Sequence, residues 1–294
     1  MDNYVIFTDA AADITAQLCE EHGIRSVPMD YLLSGETGTF RAESPEREAL
    51  CTRFYRALRG GADISTSQIT PFVYESTFSP VLEAGQDILY CCFSSGMSST
   101  WQNVQAEVAN LTEQYPGRTI RCVDTISASG GEGVFALQAA LNKEAGMPLE
   151  ENARWLEARA HQVCHWFTVG DLDFLKRGGR VSPTLAFLGG KLQIKPILII
   201  DDDGRLRVTQ KARGQKAALQ NLTASYKANL NFGDAAHVVF IGHSDAPEAC
   251  SQLEEMLREV SPADTQILQI PLTPIIGAHT GPDMLFVCHY GTHR

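Results

Sequence analysis

Residues 87–100 read D-I-L-Y-C-C-F-S-S-G-M-S-S-T, and the rest of the chain is organised around them. Ile88 to Phe93 form a continuous apolar run, short enough for a strand buried on both faces. Next come four serines and a threonine within seven residues, around Gly96. Beyond them Trp101, Val104, Val108, Leu111 and Tyr115 recur at helical spacing, and Ser99 with Gln102 has the form of a capping box. A buried strand thus ends in a hydroxyl-rich loop that opens a helix. Free backbone N–H groups and the positive end of the helix dipole converge there, which suits an anion. A serine-rich turn that only caps its helix is the plainer alternative, and spacing does not separate the two.

Upstream, Tyr4 to Thr8 reads as a first strand. Asp13 is placed to cap a helix through Glu21, and Ile24 to Leu33 reads as a second strand. Ser44-Pro45 and Thr70-Pro71 are helix starts, with a hydroxyl at N-cap and proline at N1. Between them lies the polar segment Ser65 to Thr70. Downstream, Arg118 to Asp124 is a strand, Ser127 to Ala145 a small-residue helix and Glu150 to Val163 an amphipathic helix. Alternating strand and helix is the pattern of an α/β domain with a mainly parallel sheet. The second half differs. Trp166 to Val169 reads as a strand. Pro196 to Ile200 and Arg205 to Lys211 flank D-D-D-G as an antiparallel hairpin. Helices over Gly214 to Leu230 and Pro247 to Val260 alternate with strands at Ala236, Gln266 and Met284. The domain boundary falls near residue 165, giving units 1–165 and 166–294.

The 294 residues can bury a large core, and 44% apolar content is globular. No apolar run approaches the ~20 residues of a membrane span, so stable membrane insertion is not expected. The start of the chain lacks a basic n-region, and the eight cysteines lack C-x-x-C pairs. A cytoplasmic protein with reduced buried thiols is the expectation. A formal net charge of −11 argues against nucleic acid as a partner. Yet residues 176–216 carry ten basic side chains, Lys191 among them, against Asp201, Asp202 and Asp203, so this stretch is +7 and the remainder −18. It is either a set of solvated faces or a positive field aimed at an anionic ligand or partner.

Three loops bear hydroxyls or histidine: Ser65 to Thr70, Ser94 to Thr100 and Gly277 to Gly281, with His279 read as a loop residue. Loops leaving the carboxyl ends of parallel strands converge on a ligand crevice. There is no G-x-S-x-G elbow, Walker pattern or G-x-G-x-x-G. His161 and His165, four apart beside Cys164 and Trp166, read as helix-end packing, and no metal is expected.

Taken together, F-T-D-A-A-A-D-I at Phe7, T-S-Q at Thr66, S-S-G-M-S-S-T at Ser94 and D-T-I-S-A-S-G-G at Asp124 resemble the DegV family of bacterial fatty-acid-binding proteins. F-L-K-R-G-G-R-V-S at Phe174, K-P-I-L at Lys195, D-G-R-L with K-A-R to Arg213, and G-A-H-T-G-P at Gly277 extend the likeness over nearly the whole chain. The resemblance implies a two-domain α/β fold. A mainly parallel N-terminal sheet with flanking helices faces a C-terminal α/β domain with a mixed sheet, and a ligand tunnel runs between them. It implies a long-chain fatty acid as ligand and no cofactor. It puts the carboxylate near Thr66, Ser94 or Ser95, and His279. Arg180, with Lys211 and Arg213, would support phosphoryl transfer and docking of an ATP-dependent fatty acid kinase subunit. The carrier itself would be a monomer and not an enzyme.

Five positions depart from the family pattern: Ala10 for serine, Ile69-Thr70 for Pro-Ser, Ser99 for glycine, and Asp283 for glycine. The last would put a negative charge near the carboxylate. Burying a C16 tail at ~0.8 kcal/mol per methylene gives roughly 11 kcal/mol as an upper bound. Hydroxyls then need only orient and solvate the carboxylate. The alternative is a serine hydrolase or acyltransferase using Ser94 or Ser95 with His279, for which no third member is evident.

Overall fold

In the computed structural model, which describes residues 3–170, 172–181 and 194–294, the apolar run at Ile88 lies inside a four-stranded parallel sheet. Its strands are β1 (Tyr4–Asp9), β2 (Ile24–Val27), β6 (Asp87–Cys92) and β7 (Ile120–Asp124), in the order β2-β1-β6-β7. Strand side chains alternate between faces. Phe7, Ile88, Tyr90 and Cys92 pack under helices α3 (Pro71–Glu83) and α4 (Thr100–Gln114), beside Phe78, Val104 and Leu111. Ile6, Leu89 and Cys91 join the larger core on the opposite face, with Val134 and Phe135 of helix α5 (Ser129–Glu144). Burial on both faces is why this strand is continuously apolar.

Several local readings are corrected. The expected strand Ile24 to Leu33 breaks at Pro28. Strand β3 (Met29–Leu33) leaves the sheet and pairs with β4 (Glu36–Phe40) and β5 (Ile64–Thr66) in a small antiparallel sheet. Proline has no N–H for a ladder, so a strand ends there. Helix α1 (Ala16–His22) is capped by Thr15, whose Oγ1 accepts from Leu18 N at 3.2 Å, because Asp13 is engaged elsewhere. Helix α2 (Arg47–Arg59) begins after Ser44-Pro45, which forms a preceding turn. Ser99 is the N-cap of α4 but makes no side-chain cap; Ser98 Oγ instead accepts from Thr100 N at 3.2 Å.

Among the described residues, every strand from Val163 onward belongs to one mixed six-stranded sheet. Its members are β8 (Val163–Thr168), β9 (Ile194–Ile200), β10 (Leu206–Arg213), β11 (Val238–His243), β12 (Gln266–Pro271) and β13 (Leu285–Tyr290), in the order β10-β9-β8-β13-β11-β12. Helix α6 (Leu149–Glu157) stops short of the expected Val163, so His165 and Trp166 lie in a strand and not at a helix end. Helices α8 (Gly214–Asn229) and α9 (Pro247–Arg258) pack on this sheet, as does α5, which also contacts β1 and β6 of the first sheet. At its start, S-G-G-E-G, neighbours leave no room for a Cβ: one on Gly130 would lie 2.2 Å from Phe286, one on Gly131 1.7 Å from His165 and one on Gly133 2.7 Å from Ala12 O. All eight cysteines are free, with Cys122 half-buried and the others buried.

Carboxyl groups are buried at the junction of the two halves. Asp9 accepts from the Tyr90 hydroxyl and from Phe93 N (2.8 Å). Glu132 Oε1 accepts from Thr8 Oγ1 (2.9 Å) and Asp9 N (3.1 Å), while its Oε2 has no partner among the described residues. Asp13 accepts from Ser129 Oγ (2.6 Å) and Thr273 N (2.7 Å). Burial raises Asp9 to about 7 and Asp13 to about 6, and pushes Glu132 well above the carboxylate range, with the Asp9 charge adding to it. A carboxyl whose folded pKa is raised contributes stability that is fully present below its unfolded pKa of about 4 and is lost as pH rises through the folded value. Buried His279 and His289, each held near 4, act in the opposite sense: their contribution is present above about 6.5 and lost toward 4. Comparing variants isolates the carboxyls. Glu132→Gln should gain melting temperature relative to the parent as pH rises from 5 to 8. Parallel melting curves across that range would contradict it.

Candidate functional site

A mostly apolar opening lies between the β8–β13 face of the six-stranded sheet and the loops of the first half. It encloses about 910 Å³, open solvent at its mouth included. Its walls include Phe167, Phe286 and Cys288 from that sheet, Ile275 and Ile276 from helix α10 (Pro274–Thr280), and Ala11 and Phe93 from the first half. Its polar lining includes Thr66, Ser67, Gln68, Ser98, Arg180 and His279, of which Thr66 and His279 touch and Arg180 is close enough for its charge to act on His279.

His279 was expected in a loop and lies instead in the last turn of α10. Asp13 fixes that helix by accepting from the backbone of its N-cap, Thr273. Tyr55 donates to Leu272 O (3.2 Å) just before it, and Ser244 donates to Gly281 O (2.6 Å) just after it. Gly178, which follows α7 (Asp173–Arg177), passes so close that an added Cβ would lie 2.5 Å from His279 Nδ1. His279 Nε2 and Thr66 Oγ1 are 2.8 Å apart, across 213 residues of chain. Burial, helped by the Arg180 charge, lowers His279 to about 4, so the ring is neutral at pH 7. A neutral ring has one N–H. If Thr66 donates to Nε2, the proton sits on Nδ1, which is buried and unpartnered among the described residues. If Nε2 donates to Thr66, the hydroxyl proton is released instead. Either way the pair offers an incoming anion one donor, and Arg180 adds an exposed cation beside it.

The other sequence candidates are placed differently. Ser94 is fully buried; its hydroxyl donates to Gly204 O (2.8 Å) and accepts from Gly96 N (3.2 Å), pinning the β9–β10 hairpin to the first half. Ser95 donates its backbone N–H to Asp124 Oδ1 (3.3 Å), and neither serine lines the cavity or hydrogen-bonds His279 among the described residues. Ser98 lines it instead, from the same serine run; sequence could not tell which hydroxyl turned inward. Lys211 and Arg213 are exposed on the edge strand β10, away from the cavity walls. Lys191 and Ser182 lie outside the described residues. Asp283 does not face the cavity: it pairs with Arg59 (2.9 Å), which also binds Asp245. Ile69 is core, and Ser99 is exposed. Among the described residues no cluster of three or more His, Cys, Asp or Glu could hold a metal, and no helix is long and apolar enough to cross a membrane.

The family profile described as "uncharacterised protein, DegV family" matches residues 3–291. The chain belongs to the DegV family. A DegV domain-containing protein of Clostridium perfringens is 35% identical over 293 residues, 99% of this chain and 98% of its relative. A DegV family protein from Thermus thermophilus, whose structure was reported for its fatty acid binding, superposes with a TM-score of 0.83 at 29% identity, covering 99% of this chain and 100% of the other. A DegV lipid binding protein from Thermotoga maritima shares the fold at TM-score 0.84 and 24% identity, with both chains fully covered. The shared fold accounts for the paired sheets.

Proposed function

We propose that this DegV protein is a non-catalytic carrier that holds a long-chain fatty acid in the cavity and presents the carboxylate to an ATP-dependent kinase. One observation carries the reading: a mostly apolar cavity in whose wall Thr66, His279 and Arg180 are neighbours. The apolar walls supply retention, since each buried methylene contributes ~0.8 kcal/mol. The neutral Thr66–His279 pair orients the carboxylate without neutralising it, which leaves an oxygen free for phosphorylation. The fatty acid bound by the Thermus thermophilus relative supports the ligand class. Exposed Arg180 supports the transfer step, because a cation beside the acyl oxygen stabilises charge as ATP reacts.

Native mass spectrometry followed by solvent extraction should find one fatty acid per chain. A preparation that stays empty when offered C14 to C18 acids would sink the proposal. Thr66→Val removes one neutral hydrogen bond, ~0.5–1.5 kcal/mol net, so affinity should fall several-fold while the fold persists. Arg180→Ala should keep its lipid yet lose acyl-phosphate formation with the kinase. Normal turnover by that variant would remove Arg180 from the transfer step.

A further inference from the structure

The cavity carries a polar group that a carboxylate at the Thr66–His279 end does not use. On β8, His165 and Phe167 point to the same face and both line the cavity, with Cys288 and Phe286 opposite them in register. His165 lies three residues before the end of β8 at Thr168, so at ~3.3 Å per residue it is roughly 10 Å back along the strand. It is 3% exposed, and among the described residues neither ring nitrogen has a hydrogen-bond partner of good geometry. The carbonyls of Val163 and Ala128 come near enough to oppose the effect of burial on the ring, but not in hydrogen-bonding alignment. Burial keeps the ring neutral.

A neutral imidazole presents one N–H and one lone pair. Both nearby backbone groups are acceptors, so neither can satisfy the lone pair. Cys288 offers only a weak S–H donor and forms no hydrogen bond with the ring. Ser129 also lines the cavity, but its hydrogen is committed to Asp13. The fold makes room for the imidazole: a Cβ on Gly131 would lie 1.7 Å from His165 Nε2. An unsatisfied polar ring is thus built into the wall of an apolar tunnel, where a leucine would serve a plain hydrocarbon chain better.

We propose that His165 forms a subsite for a hydroxyl group carried along the acyl chain, so that the ligand class of this carrier includes hydroxylated long-chain fatty acids. The inference rests on the fatty-acid reading above. A chain hydroxyl donates to the imidazole lone pair or accepts its N–H, and in doing so satisfies both groups. A plain chain leaves the ring unpaired.

The test uses the full chain stripped of lipid, with stearic acid and a positional series of monohydroxystearic acids in competition binding. At least one isomer should bind the parent protein at least as tightly as stearic acid. His165→Leu should lower that isomer's affinity relative to stearic acid by about ten- to a hundred-fold, the penalty for a buried unpaired hydroxyl. Stearic acid affinity is measured on the same His165→Leu preparation so that the ratio of the two affinities is what is read, and stearic acid binding by the variant shows that it is folded. His165→Gln, which keeps a donor and an acceptor, should retain part of the preference. An unchanged ratio in His165→Leu overturns the subsite. If that variant fails to fold, the parent protein decides alone: should every hydroxylated isomer bind more than tenfold weaker than stearic acid, the subsite is overturned. A parent protein that binds neither class overturns the fatty-acid reading itself, a separate result.

Discussion

Arg47→Met should lower the unfolding free energy by about 3–5 kcal/mol, read from urea midpoints at pH 7. Arg47 is 4% exposed on α2, and its guanidinium clasps three backbone carbonyls from both halves of the chain. It donates to Ile14 O, to Asp13 O at 2.7 Å and to Pro271 O at 2.9 Å. Methionine of similar length fills the space and spares the cost of burying a cation. It cannot donate, however, and each buried acceptor left without a partner costs about 1–3 kcal/mol. The Asp13 carboxyl also loses a neighbouring cation that holds its pKa down, so it should titrate above its present value of about 6. Arg47→Lys keeps the charge but not the planar fork, and should recover only part of the loss. A Met variant within about 1 kcal/mol of the parent would show that water takes over the three carbonyls.

The second large effect concerns Phe286, which is 1% exposed and forms part of the cavity wall. Phe286→Ala should cost the lipid-free protein about 3–5 kcal/mol, because the emptied space is already flanked by a cavity and cannot collapse. The ring occupies the place where a side chain on Gly130 would go: an added Cβ there would sit 2.2 Å from Phe286 Cε2, with Phe286 atoms its three nearest neighbours. Gly130→Ala in the parent is therefore an overpacking substitution, expected to cost about 1–3 kcal/mol. In the Phe286→Ala background the same methyl has room, and alanine is favoured over glycine in a helix by about 1 kcal/mol. Its sign should reverse. A double-mutant cycle by thermal or urea unfolding measures this coupling directly. Additive effects of the two substitutions would mean that helix α5 shifts to accommodate the methyl, and that the ring does not dictate glycine at 130.

The Arg47, Phe286 and Glu132 substitutions probe one structural fact, which is that α5 and its surroundings are shared by both sheets. The residues that bind the halves together also hold the site. Asp13, steadied by Arg47, accepts from the backbone at the start of α10, and α10 carries His279. A change at the junction should therefore reach ligand affinity as well as stability.

Much of this was legible in the chain itself. Ile88 to Phe93 is apolar at every position because both faces of β6 are covered, and that pattern is local. Thr70-Pro71 starts α3, since proline lacks the N–H that a first helical residue does not need. D-D-D-G closes an antiparallel hairpin through its turn chemistry. The eight ordered motifs carried family membership, and Thr66, Arg180 and His279 came with them. What the sequence could not decide is which hydroxyl or ring turns inward. Ser94 and Ser98 belong to one serine run, yet Ser94 ties down a hairpin 110 residues away while Ser98 lines the cavity. His165 read as packing because its neighbours are apolar, and a cavity wall and a core have the same composition. Thr66 and His279 meet only because helix α10 packs against β5, bringing together side chains 213 residues apart. Local pattern fixes which elements form and which face each buries. The cavity exists only where faces from distant segments fail to close completely, and that is a property of the assembled fold.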